Sequence, residues 1–152
     1  MKSEDRLTEM ADVFSALADK TRLRVLNLMR EDEICVCFFS EALEESQPKI
    51  SRHLAVLRKA GLVESRRDGK WMHYSIAVPE DPEKAAVLRR TLEWLWSQEG
   101  MREDYGRLEE VCCAVEQPVT IARAPKPEAI VEREGAASAE SFEVEELETY
   151  LL

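Results

Sequence analysis

The sequence predicts a mainly α fold with a small β component (α+β): a winged helix-turn-helix of about five helices with a two-stranded β-hairpin wing. Three features predict it. Residues 46–76, SQPKISRHLAVLRKAGLVESRRDGKWMHYSI, join a short helix to two strands closed by Asp68-Gly69. The same run carries Lys49, Arg52, Arg58, Lys59, Arg66, Arg67 and Lys70 against only Glu64 and Asp68, a local balance of +5 in a chain of formal net charge −10. Helical apolar stripes lie on both sides of it.

Taken in order, Leu7, Met10, Ala11, Phe14, Leu17 and Ala18 fall on one helical stripe, and Asp19 offers an N-cap for a second helix over about 20–30. A third, short helix covers about 35–44, and Glu44-Glu45-Ser46 is the turn. The fourth helix begins at Ser46 or Gln47, tolerates Pro48 in its first turn, and stops at Gly61. Its wheel puts Ile50, Leu54 and Leu57 inward, Arg52, Ala55 and Lys59 outward, and His53 on the shoulder. Strands follow over about 62–67 and 70–77. A two-residue type I′ turn at Asp68-Gly69 would set Arg66 opposite Trp71, Glu64 opposite His73 and Val63 opposite Tyr74, with Arg66 stacked on Trp71. A fifth helix over about 82–98 carries Ala85, Leu88, Leu92, Leu95 and Trp96; with the first helix this stripe is surplus to one winged-helix core and reads as a homodimer interface.

Charge locates an appendage. Residues 1–97 hold 16 Lys and Arg against 17 Asp and Glu, whereas residues 98–152 hold 5 against 14, so the acidity belongs to the tail. The expected organisation is a DNA-binding and dimerisation domain over 1–98, a cysteine-containing extension over 99–116 with one or two helical turns between Leu108 and Val115, and an acidic, flexible tail over 117–152 in which FEVEELETYLL has helical spacing. No apolar run approaches the roughly 18 residues of a membrane span. With no signal-peptide pattern, a cytoplasmic, reducing location and free thiols are expected.

Gln47, Lys49, Ser51 and Arg52 form the exposed N-terminal set that a groove-inserted helix presents to base edges, and Arg66, Arg67 and Lys70 of the wing would meet phosphates. Double-stranded DNA is the expected partner. Cys35-Val36-Cys37 is a C-x-C pair suited to soft ions. In regular helix, i and i+2 point about 200° apart, so chelation demands a distorted helix start, and a purely structural pair of buried thiols stays open as the other reading. Cys112-Cys113 supplies candidates for a third or fourth sulfur, or incidental thiols. His53 reads as a packed histidine. Without a C-x-x-C in a βαβ setting, a Gly-rich phosphate loop or an acid/base pair, an enzyme is not expected.

The run ICVCFFSEALEESQPKISRHLAVLRKAGLVESRRDGKWMHYSI resembles the arsenical-resistance repressors of the ArsR/SmtB family over about residues 5–97. The resemblance implies a homodimeric repressor, requiring no cofactor, that leaves its operator when As(III) or Sb(III) binds thiolates; a redox- or Cd/Zn-responsive regulator of the same fold is the alternative. It marks Cys35 and Cys37 as ligands and Gln47, Lys49, Ser51, Arg52 and His53 as operator-facing. Where members similar to enterobacterial ones have CVCxxC, this chain has Ser40, leaving Cys112 or Cys113 as the source of a third sulfur.

Overall fold

The computed structural model describes residues 3–30, 32–114 and 116–136. Within them the chain runs α1 (Ser3–Leu17), α2 (Lys20–Met29), β1 (Ile34–Cys35), α3 (Val36–Leu43), α4 (Gln47–Lys59), β2 (Val63–Asp68), β3 (Trp71–Ile76), α5 (Pro82–Ser97), α6 (Glu99–Cys113) and a further helix, α7, over 128–136. Local chemistry sets the ends. The Asp19 carboxylate accepts from Arg22 N at 3.0 Å to cap α2, and Asp81 accepts from Glu83 N at 2.8 Å to cap α5. At the end of α4, Gly61 takes a φ of +78°, which lets Leu62 N reach Leu57 O at 3.0 Å.

Phe38 and Phe39 of α3, Leu26 and Leu28 of α2, and Ile50, Leu54 and Leu57 of α4 are fully buried together. Each such side chain contributes about 1.5–3 kcal/mol of burial. The recognition-helix candidate is therefore fixed from behind, with Arg52, Ala55 and Lys59 left in solvent.

The wing differs from expectation in two ways. It belongs to a three-stranded antiparallel sheet in the order β1-β3-β2, because Ile34 and Cys35 pair with Tyr74 and His73. The hairpin register is also displaced: Arg66 faces His73, Glu64 faces Ser75, Val63 faces Ile76, and Asp68 faces Trp71. The loop is thus Gly69-Lys70. Gly69 takes the positive φ, +57°, at the first loop position, where a II′ turn requires it, and this frees Asp68 to join the strand. Lys70 Nζ, rather than Arg66, lies over the Trp71 ring, 4.9 Å from its centroid.

The expected dimer stripe on α5 is corrected as well. Ala85, Leu88, Leu92 and Leu95 are buried within the chain, and the apolar face left in solvent carries Trp94 (59% exposed) with half-buried Val87. On α1, Val13, Ala16 and Leu17 turn inward while Leu7 (72%) and Phe14 (55%) stay exposed.

The largest difference lies beyond residue 98. The expected one or two helical turns are a 15-residue helix, α6, packed on α2 and α3 with Tyr105, Leu108 and Cys112 buried. Buried Asp104 fastens it: its carboxylate takes Arg24 Nε at 2.7 Å and Nη2 at 3.1 Å, and pairs also with Arg107. Asn27 Nδ2 adds a bond to Met101 O at 2.7 Å. Nor is 117–136 a flexible linker. Ile121, Ala124 and Ile130 are buried, Thr120 Oγ1 donates to Glu41 at 2.7 Å, Ala129 N donates to Asp32 at 3.0 Å, and Arg133 Nη2 donates to the Tyr105 hydroxyl at 2.7 Å. Pro118, Pro125 and Pro127 punctuate a strap that crosses α3 and α6. The FEVEELETYLL segment lies outside the described residues.

Replacing Asp104 by Ala leaves the half-buried Arg24 guanidinium without its acceptor. We expect a loss of about 1.5–3 kcal/mol, the scale of hydrogen bonds to charged groups, read as a lower urea midpoint with unchanged slope.

Candidate thiol site and nucleic-acid interface

Cys35 is at once the last residue of β1 and the N-cap of α3, with φ −65° and ψ 139°. Cys37 lies inside the first turn of α3. The change from extended to helical backbone between them cancels the divergence that a regular helix imposes at i and i+2, and Cys37 Sγ donates to Cys35 Sγ at 3.3 Å. The distorted start that chelation demands is thus built in, held by β-pairing rather than created by a ligand. Both sulfurs are buried.

The electrostatics of the pair are asymmetric. The Cys37 thiol, donating to its neighbour, brings Cys35 down from the usual thiol range to about 7, with backbone groups of Cys37, Val36 and Met72 acting in the same direction and burial opposing them. Cys37 moves up, because it keeps the shared proton and is buried. One proton therefore leaves the pair readily and the second with difficulty. A thiolate at an N-cap also gains from the helix dipole.

Neighbours that the sequence did not single out complete the setting. His73, buried on the central strand, faces Cys35 on one side and Arg66 on the other, and its Nε2 lies 3.9 Å from an Asp68 carboxylate oxygen. Glu33 holds Arg66 through Nε at 3.0 Å and Nη2 at 2.5 Å, and this ion pair keeps the Glu33 carboxyl below its ordinary range. Thiol pair and wing are therefore joined across a single row of the sheet. The signal for this was an apolar Ile34-Cys35-Val36 run after Glu33, legible as a third strand only once the hairpin had a partner. Ser40, in place of a third cysteine, donates its hydroxyl to Glu45 O at 2.5 Å and closes the α3–α4 turn.

Cys112 and Cys113 do not join the pair. Cys112 is buried among α6 and the strap, where burial pushes its thiol up to about 12, with Cys113, Lys126, Glu134 and Asp32 as its charged or titratable neighbours. Cys113 is exposed and bonds the Glu134 carboxylate, which raises it. Among the described residues no group of three or more His, Cys, Asp or Glu side chains is gathered to hold a metal ion.

On the DNA-facing candidates, Gln47, Lys49, Ser51, Arg52, Arg67 and Lys70 are exposed. Lys49 Nζ rests on Glu45 at 2.9 Å, and Arg67 Nε on Gly69 O at 3.3 Å. His53 points elsewhere: its Nδ1 lies 3.4 Å from Arg22 Nη1 and 3.8 Å from the Asp19 carboxylate, tying α4 to the start of α2. Arg66 is exposed but committed to Glu33.

A basic helix over an apolar floor, followed by a basic hairpin, defines a winged helix-turn-helix DNA-binding regulator. Residues 19–65 match the bacterial regulatory protein, arsR family, model. The arsenic resistance transcriptional regulator ArsR1 of Pseudomonas putida is 46% identical over 112 residues, 72% of this chain and 85% of that protein. The arsenical resistance operon repressor of Escherichia coli K12 is 52% identical over 77 residues, 50% of this chain and 65% of that protein. Among solved structures, the homodimeric winged helix-turn-helix DNA-binding domain of a possible ArsR-family regulator from Mycobacterium bovis superposes with TM-score 0.53 at 30% identity, covering 64% of this chain and 87% of that one. Reduced HlyU from Vibrio cholerae gives 0.52 at 30% identity, covering 62% and 96%. This chain belongs to the ArsR family of transcriptional repressors.

The lowered Cys35 value sets a pH window. In a protein carrying Cys112→Ala and Cys113→Ala, thiolate absorbance should rise with a midpoint near pH 7 as Cys35 ionises, the thiol persisting below that point and the thiolate above it. Adding Cys37→Ala removes the donated proton and should return the midpoint toward the ordinary thiol range, about 8.5.

Proposed function

We propose that this ArsR-family repressor senses As(III) or Sb(III) through Cys35 and Cys37 and leaves its operator when the ion binds. One observation carries the reading: the two buried sulfurs stand 3.3 Å apart at the joint where β1 passes into α3. Soft thiolates at that spacing suit a thiophilic ion, and the names of the relatives from P. putida and E. coli concern arsenic resistance. A relative described as a SmtB homolog, from Synechocystis and 41% identical over 75 residues, keeps a Cd/Zn response as the competing reading, and thiol oxidation is the other. No described helix is long and apolar enough to cross a membrane.

Gln47, Lys49, Ser51 and Arg52 would enter the major groove, with Arg67 and Lys70 on phosphates; His53 and Arg66 serve instead as internal ties. Moving the operator from mostly occupied to mostly free needs about 5.5 kcal/mol of differential binding. The joint offers two outlets for it, since Cys35 belongs to the strand that supports the wing and Cys37 to the helix on which α4 rests. Cys112 must leave its packed place on α6 if it is to supply a third sulfur. We infer that a second copy of the chain covers Leu7, Phe14 and Trp94; the similar M. bovis domain is homodimeric.

The deciding experiment is operator binding measured against arsenite, zinc and mild peroxide. Wild type should be released by arsenite, and Cys35→Ser should bind the operator normally yet ignore arsenite. Release of the Cys35→Ser protein would end the proposal, and release of wild type by zinc or peroxide but not arsenite would favour the competing readings. Counting thiols lost per bound ion in wild type and Cys112→Ala reports whether that sulfur takes part.

Arg52→Ala should weaken operator affinity by about 1–3 kcal/mol if the arginine reads a base. The contrast with a phosphate contact is sequence dependence: a base reader loses discrimination at one operator position, whereas a phosphate contact lowers the salt slope.

A further inference from the structure

We propose that the groove walled by α5, α6 and α7 is a binding site for a small organic carboxylate. Its volume is about 500 Å³, and its walls include Arg30, Trp96, Tyr105, Ala129 and Arg133. That volume is in the range of small-molecule sites, roughly 300–1,000 Å³.

Unused donors indicate the chemistry. Arg30 Nε and Trp96 Nε1 are buried and bond nothing among the described residues, and a buried donor without an acceptor is costly unless an acceptor arrives. Both residues line this one groove. Arg30 stands over the Tyr105 ring at 4.1 Å from its centroid, and Arg133 at 5.4 Å, so two guanidiniums converge on one aromatic wall. Arg30 also holds a φ of +34°, an uncommon backbone for a residue with a side chain and one that recurs at ligand clamps.

The acids in the lining do not supply what these donors lack. Asp32 is spent on two backbone donors, Glu33 N at 2.8 Å and Ala129 N at 3.0 Å, and Glu132 is exposed at the rim. A carboxylate would meet Arg30 and the indole N–H. Trp96, Ala129 and Ala136 offer apolar surface to the rest of the molecule, which favours an organic acid over a bare oxyanion.

The test is calorimetry on the full chain with benzoate, its uncharged analogue benzamide, and inorganic phosphate. Benzoate should bind saturably and benzamide should not. Arg30→Gln should weaken benzoate about tenfold or more, while Glu132→Gln and Cys35→Ser bind it as wild type does. Circular dichroism and melting temperature establish that Arg30→Gln is folded. If it is not, Trp96→Phe, which keeps a ring and removes the donor, should weaken benzoate about two- to tenfold. Equal binding of benzamide, binding of phosphate without benzoate, undiminished affinity in the folded variants, or no benzoate binding at all would each overturn the site.

Discussion

The pairing of Ile34-Cys35 with Tyr74-His73 is the constraint on which the rest of this molecule depends. Two residues of strand suffice to hold Cys35 extended, and the chain then turns at once into α3, so that Cys37 comes around beside it. Without that pairing the C-x-C would continue as helix and its sulfurs would diverge. The same two residues attach the hairpin to the body of the protein, placing the thiol pair and the wing in one hydrogen-bonded sheet. Chemistry at the sulfurs is thus adjacent to both elements proposed to face DNA, through β3 to the wing and through α3 to α4.

Around this joint the charged side chains divide their labour. Glu33 takes Arg66 out of the group available to DNA and uses it to brace the wing, while Asp19 and Arg22 hold His53 against α2. What stays outside the described ion pairs on the outer face of α4 is a short polar and basic set, Gln47, Ser51 and Arg52, above a floor of Ile50, Leu54 and Leu57 that is completely buried. The residues that fix position and those that meet solvent are separate, which lets the surface carry an unfavourable concentration of positive charge without loosening the core.

The described residues beyond 98 extend the core rather than trailing from it. Their acidity is misleading as a sign of disorder, because the stabilising contacts are few and specific: Asp104 with Arg24 and Arg107, Asn27 with the Met101 carbonyl, and Leu108, Cys112, Ile121 and Ile130 set into gaps over α2 and α3. A strap rich in proline needs little regular structure to pack when alternate turns each drop one apolar side chain inward. It also backs α6, which becomes a wall on the far side of which Arg30, Trp96 and Tyr105 gather.

The sequence by itself determined the helix-turn-helix and hairpin, since Asp19, Pro48, Gly61 and the period-3.6 stripes act locally and read the same in any context. It also determined which residues of α4 face outward. It gave the alternation of the hairpin strands but not their register, because a slip of two residues along the partner strand preserves that alternation and is decided by which residue, Gly69 at the first loop position, absorbs the positive φ. Only the tertiary structure decided that the two cysteines converge, that Arg66 and His53 turn to internal partners, that the α5 stripe is consumed within the chain, and that Cys112 is locked away under the strap. Each of these rests on a contact between segments far apart in sequence, Cys35 with His73, Glu33 with Arg66, Arg24 with Asp104, and no local spacing encodes a partner that arrives from elsewhere in the chain.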